Sequence, residues 1–195
     1  MSPNRWLLSC LAVCWLLFTT DASGQEAGRV PKYSARAFYE TTAYIGASFS
    51  ADESRLLITS DATGVFNAFS QSVKGGMPDL LTQSKQDATF GRAYFPHDDR
   101  VLYVQNEGGN ELDHVFVREK DGQARDLTPG KKVKALFAGW SGDLQHFYVA
   151  SNERDPKFFD LYRYEAGNYA RSLFFKNAGG FTTPMVSRDG AGWPW

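Results

Sequence analysis

A tetrad that recurs at a fixed interval constrains this chain more than any other feature. Phe49-Ser50-Ala51-Asp52, Phe95-Pro96-His97-Asp98, Trp140-Ser141-Gly142-Asp143 and Val186-Ser187-Arg188-Asp189 are versions of one pattern, and their aspartates lie 46, 45 and 46 residues apart. A period in the forties is the mark of a propeller blade or another stacked unit, which buries its faces only against its neighbours. A second marker keeps the same register. Leu81-Thr82 and Leu127-Thr128 are 46 residues apart, with Leu173-Phe174 in the third copy. Short strands at regular spacing between turn residues argue for an all-β chain. A β-sandwich with coincidental spacing is the alternative.

The expected fold is a partial β-propeller of about three four-stranded blades plus the first strand of a fourth. The blades span about residues 44–84, 85–130 and 131–177, and the next begins within 178–195. The strands of the first blade are expected at Tyr44 to Phe49, Leu56 to Ser60, Val65 to Ser70 and near Leu80 to Thr82. Those of the second are Phe90 to Phe95, Val101 to Asn106, His114 to Arg118 and Ala124 to Leu127. Those of the third are Val133 to Ala138, His146 to Ser151, Phe159 to Tyr164 and Arg171 to Phe175. Asp121-Gly122 is a hairpin signal, and Asn152 to Pro156 is expected as a turn. The tetrad aspartate should accept backbone N–H groups and set a reverse turn, and the aromatic residue before it should pack between blades. Residues 25–43 form an N-terminal segment, with a short helix near Ala35 to Glu40 capped by Ser34.

The first 24 residues look like an export signal: Arg5, an apolar run from Trp6 to Phe18, and the small residues Ala22-Ser23-Gly24. Cleavage after Gly24 would leave Gln25 first, with the product exported, periplasmic or secreted. An uncleaved anchor is the alternative, although the run is shorter than the roughly 20 residues a spanning helix needs. Both cysteines, Cys10 and Cys14, lie inside this segment. The cleaved chain would therefore have no disulfide, no thiolate chemistry and no membrane span, and lipidation of either cysteine stays open. With 21 basic against 22 acidic side chains, no broad positive field invites nucleic acid.

Little in the sequence carries chemistry. His97, His114 and His146 lack paired ligand spacing, so no metal is expected, nor any other cofactor. Gly139-Trp140-Ser141-Gly142-Asp143 opens like a nucleophile elbow but ends in Asp143 rather than glycine, and it coincides with the tetrad, so Ser141 reads as a turn residue. The most polar stretches are Asn106 to Glu111 and Asn152 to Asp155. Equivalent turns of successive blades share one face. Glu107, Asn110, Glu111, Glu153 and Arg154 are therefore the candidates for holding a charged peptide end.

Four runs resemble one family. They are Ser60-Asp61-Ala62-Thr63-Gly64-Val65-Phe66-Asn67, Asn110 to Val117, Gly139 to Asp143 and Ser151 to Tyr164. These are similar to the N-terminal β-propeller of the prolyl oligopeptidase family of serine peptidases, which includes dipeptidyl and acylaminoacyl peptidases. The resemblance covers about residues 33 to 190. It implies a propeller that gates peptide substrate, with a C-terminal α/β-hydrolase domain carrying the Ser-Asp-His triad. That domain is the expected partner. None of its motifs is in this chain, so no catalytic residue is carried over and the chain alone is expected to be inactive. The resemblance also implies an apolar strand after Asp189, where Ala191-Gly192-Trp193-Pro194-Trp195 stands instead. The expected explanation is truncation, and one deleted base suffices to produce it. The tetrad alone is shared with TolB-like propellers, so a non-enzymatic protein-binding module is the alternative function.

Overall fold

Three antiparallel sheets of identical connectivity follow one another along the chain in the computed structural model, which describes residues 31–179 together with Val186 and Ser187. The expected export signal, Cys10, Cys14, Arg188, Asp189 and the last five residues lie outside the described residues. Residues through Thr41 and those from Thr42 onward form separate units. The first carries α1 (Ala35–Tyr39), whose N-cap Ser34 accepts the Ala37 N–H at 3.3 Å.

The second unit holds twelve strands. The first sheet is β1 (Tyr44–Phe49), β2 (Arg55–Ser60), β3 (Asn67–Ser72) and β4 (Asp79–Leu80). The second is β5 (Thr89–Tyr94), β6 (Val101–Gln105), β7 (His114–Arg118) and β8 (Ala124–Asp126). The third is β9 (Ala135–Trp140), β10 (His146–Asp155), β11 (Phe158–Glu165) and β12 (Arg171–Phe175). Each is ordered as a simple meander, first strand to fourth. The chain is all-β, with three four-stranded blades of a partial propeller.

The sheets stack face to face, and this explains the apolar pattern. In β6, Val101, Leu102, Tyr103 and Val104 are all buried, because this sheet is covered on both faces. One face supplies Leu102, Val104, Val115 and Val117 to a core shared with Phe147, Val149 and Tyr164 of the third sheet. The other supplies Tyr94 and Val101 to a smaller core with Leu57 and Ala68 of the first. Gly91 permits the close approach there: a Cβ at this position would lie 2.9 Å from Leu57 Cγ.

Both sequence markers have a repeated physical job. In the tetrads, Asp52, Asp98 and Asp143 each accept the N–H two residues on, from Ser54, Arg100 and Gln145, at 3.1, 3.0 and 3.0 Å. Ser50 and Ser141 each donate to their own aspartate and accept the N–H of the residue five positions later, both at 3.0 Å. In the Leu-Thr pairs, the Thr82 and Thr128 hydroxyls accept the N–H groups of Ala68 and Val115, both at 2.9 Å. They tie the end of each sheet back to its third strand.

The tetrad carboxyls are held below the ordinary carboxylate range. Hydrogen bonds from Ser50 and then Ser54 do this for Asp52, and those from Ser141 and Gln145 for Asp143. At Asp98 burial works the other way but is outweighed by the side-chain and backbone bonds of Arg100. A folded pKa below the unfolded one stabilises the fold above the unfolded value and loses that stabilisation as pH falls toward the folded value. The melting temperature should therefore drop steadily as pH is lowered from about 5, and Asp98→Asn should flatten the slope. Thermal melts of both proteins across that range would reveal a tetrad that does not contribute, by giving parallel curves.

Besides β9, which starts at Ala135 rather than Val133, three details stand apart from the sequence expectations. Phe49 is 59% exposed, whereas its counterpart Phe95 is 1% exposed. Phe95 is wrapped by Trp140, Phe147 and Tyr169, and no comparable ring cluster surrounds Phe49 among the described residues. Next, β3 starts at Asn67 rather than Val65. The Asn67 amide donates back to Thr63 Oγ1 at 3.0 Å, which keeps Val65 and Phe66 in the turn. Finally, Asn152 to Asp155 is the end of β10, not a turn. Its pairing resumes at Asp155↔Phe158 after a register shift, leaving only Pro156-Lys157 to reverse the chain.

Candidate functional site

The β6–β7 hairpin overhangs a cleft of about 550 Å³. Glu107 and Asn110 of the hairpin line it, with Phe116 of β7 and Asp126 of β8 behind them and Asp87 on the connector from the first sheet. The hairpin is held by its own polar groups. Asn110 Oδ1 accepts the Leu112 N–H at 2.9 Å, Asn106 donates to Asp113 at 3.0 Å, and Asp87 accepts the Gly108 N–H at 2.7 Å. His114 stands inside the cleft, its Nδ1 2.8 Å from Asp126 and its Nε2 3.1 Å from the Gly130 carbonyl. Three carboxylates face one lysine, Lys131, across this space. The arrangement suits a cation that also donates hydrogen bonds, such as an amino group.

The five residues singled out from sequence fall into two places. Glu107 and Asn110 share this cleft. Glu111 is on the same hairpin, exposed and left-handed at φ 58°, but does not line the cleft. Glu153 and Arg154 lie at the end of β10 in the third sheet, and both are in ion pairs. Glu153 accepts from Arg171 at 2.7 Å. Arg154 grips Asp160 with two nitrogens, one of them Nη2 at 2.8 Å, and also donates to the Asn177 carbonyl at 3.0 Å. Asp160 is fully buried, and the hydrogen bonds from Arg154 hold its carboxyl below the usual range.

Sequence reasoning missed Asp87, Asp126 and the inward placement of His114. A signal for His114 exists in retrospect: Asn67, His114 and Asp160 are a polar series near the start of each sheet's third strand, 47 and 46 residues apart. Each binds the segment that follows its sheet's fourth strand, at Ser84, Gly130 and Asn177 respectively.

Ser141, Asp143 and His146 bring the residue types of a hydrolase triad together in the wrong order. The Ser141 hydroxyl donates directly to Asp143 at 2.6 Å and accepts the main-chain N–H of His146. The His146 ring lies 3.6 Å from Asp143 and 3.2 Å from Glu165. The serine proton points to a carboxylate rather than to the imidazole a triad requires, so this is a turn, as its position in the tetrad implies. Among the described residues, no group of three or more His, Cys, Asp or Glu could hold a metal ion. Among them too, no helix is long and apolar enough to cross a membrane.

Comparison with known proteins bears on what such a stack of sheets belongs to. No family model matches the chain. Dipeptidyl aminopeptidase BIII of Pseudoxanthomonas mexicana is 37% identical over 97 residues, which is 47% of this chain and 14% of that enzyme. This is a partial β-propeller resembling that of the prolyl oligopeptidase family. TolB from Acinetobacter baumannii superposes with a TM-score of 0.56 at 18% identity, over 76% of this chain and 36% of TolB. A prolyl endopeptidase superposes with a TM-score of 0.55 at 11% identity, over 70% of this chain and 22% of that one. The chain thus spans well under half the length of each of these proteins, and the two structural likenesses establish the propeller fold alone.

Proposed function

We propose that this chain is the substrate-gating propeller part of an exported serine peptidase that cleaves peptides, of the prolyl oligopeptidase type. Catalysis would belong to an α/β-hydrolase domain not contained in these 195 residues. The identity to dipeptidyl aminopeptidase BIII carries this reading. In it, the acidic cleft takes the amino end of a peptide, with Glu107 and Asn110 as direct contacts and Glu111 at the rim. Glu153 and Arg154 form a second contact region and engage substrate only by exchanging their present ion partners.

The test uses the 195-residue chain with alanyl-alanine amide and with its N-acetylated form, followed by NMR shifts or calorimetry. The free amine should bind at the cleft, and Glu107→Gln should weaken it about tenfold, the scale of one hydrogen bond between charged groups. Equal binding of the blocked peptide would remove the reading. A second reading, a TolB-like protein-binding module, is favoured by the TolB superposition. It requires a protein partner that binds without any free peptide end.

A further inference from the structure

A second cleft, of about 580 Å³, lies between the first and second sheets, and its chemistry is opposite to that of the acidic one. One wall is the segment after β4, including Gln83 and Ser84. The other is the face of the second sheet that presents Tyr103, Gln105 and Arg118, with Thr89 at the start of β5. No carboxylate lines it among the described residues.

One hydroxyl in this cleft is placed at a cost that the fold itself does not offset. Thr89 is 0% exposed, and its Oγ1 has no hydrogen-bond partner among the described residues. A buried hydroxyl without a partner destabilises by about 1–3 kcal/mol. Tyr103 is 4% exposed and its ring stacks on Phe116 at 5.2 Å. Burial first, and the Asp126 charge second, push its phenol up to about 12, so it remains a hydrogen-bond donor at every ordinary pH. Asp126, on the same face of the sheet, is itself held by His114. Arg118 completes the set. Its Nε donates to the Leu81 carbonyl at 2.8 Å, which fixes the guanidinium plane against the cleft wall. A guanidinium so oriented suits the two oxygens of a carboxylate.

We propose that this cleft is a binding site for a small organic carboxylate, gripped by the Arg118 guanidinium and by the Tyr103 and Thr89 hydroxyls. The site does not rest on the peptidase reading; it adjoins the acidic cleft, with Gln105 lining both, and differs from it in the charge it binds.

The experiment titrates the 195-residue chain with acetyl-alanyl-alanine, whose only charge is its carboxylate. Its amide and inorganic phosphate serve as comparators, at constant ionic strength. The carboxylate should bind and raise the melting temperature, while the amide does neither. Tyr103→Phe keeps the ring on Phe116 and should weaken binding about tenfold. Thr89→Val should leave the melting temperature unchanged or raise it, since it removes an orphaned hydroxyl, and should still weaken the carboxylate. Absence of binding at millimolar concentration overturns the proposal. So does binding that survives both substitutions, or phosphate bound in preference to carboxylate. Loss of amine binding in the acidic cleft leaves this result untouched, so the two proposals fail separately.

Discussion

Replacing Phe95 by alanine is expected to destabilise the chain by about 3–5 kcal/mol, the range for truncating a buried aromatic side chain. The ring is 1% exposed and sits where the second and third sheets meet. Trp140, Phe147 and Tyr169 surround it edge-on, with centroids at 5.1, 5.9 and 6.1 Å. The Arg100 guanidinium lies 4.0 Å from its centroid and donates to the Tyr169 hydroxyl at 2.6 Å. Alanine therefore leaves a cavity, exposes the inner face of Trp140 and removes the surface on which Arg100 rests. Phe49→Ala is the matched control. It alters the same tetrad position where the ring is 59% exposed, so its effect should be within about 0.5 kcal/mol, as for surface changes generally. Urea titration followed by tryptophan fluorescence would separate the two. Equal losses would mean that the tetrad aromatic acts within its own sheet rather than between sheets.

Asn67→Leu should cost on the order of 3 kcal/mol although it keeps the number and branching of the side-chain heavy atoms. Asn67 is 0% exposed, yet every polar atom of its amide is used. Its Oδ1 accepts from the Thr82 hydroxyl and from the Ser84 N–H, both at 2.9 Å. Its Nδ2 donates to Thr63 Oγ1 and to the Ser84 carbonyl, both at 3.0 Å. Leucine satisfies none of these, and the stranded groups cannot all reach water without moving the connector. The loss has a dynamic consequence as well as an energetic one. Ser84 and Gln83 form a wall of the proposed carboxylate cleft, so freeing the connector should weaken ligand binding there. Hydrogen exchange at the Ser84 amide reports the opening directly. Protection unchanged from the parent chain would show that Leu81-Thr82 alone anchors the segment.

The parts of this protein legible in the sequence are those that repeat. The tetrads, the Leu-Thr pairs and the alternation of short apolar runs with Asp, Ser and Gly turns were enough to place strands in three four-stranded sheets. Each of these depends on contacts within a few residues or within one hairpin. An aspartate that accepts the N–H two residues later needs only its own turn, so the pattern and the structure coincide at Asp52, Asp98 and Asp143. The two-residue turn at Pro156-Lys157 departs from expectation because β10 pairs with β11 across a register shift, which the local residue types do not encode.

The sites are another matter. The acidic cleft draws Asp87 from a connector, Glu107 and Asn110 from a hairpin, and Asp126 from the last strand of the same sheet. The carboxylate cleft joins Thr89, Tyr103 and Arg118 from three strands of the second sheet with the connector that follows β4. Arg154 reads in sequence as an available cation, and only the tertiary structure shows Asp160 buried beneath it. Phe49 and Phe95 occupy the same step of the repeat, yet one is exposed and the other is the centre of a core. The sequence by itself determined the periodic backbone, because hydrogen bonding in strands and turns is local and chemically repetitive. Which repeated side chain becomes core, ion pair or ligand contact was decided by the stacking of sheets, since burial and charge environment depend on neighbours dozens of residues away.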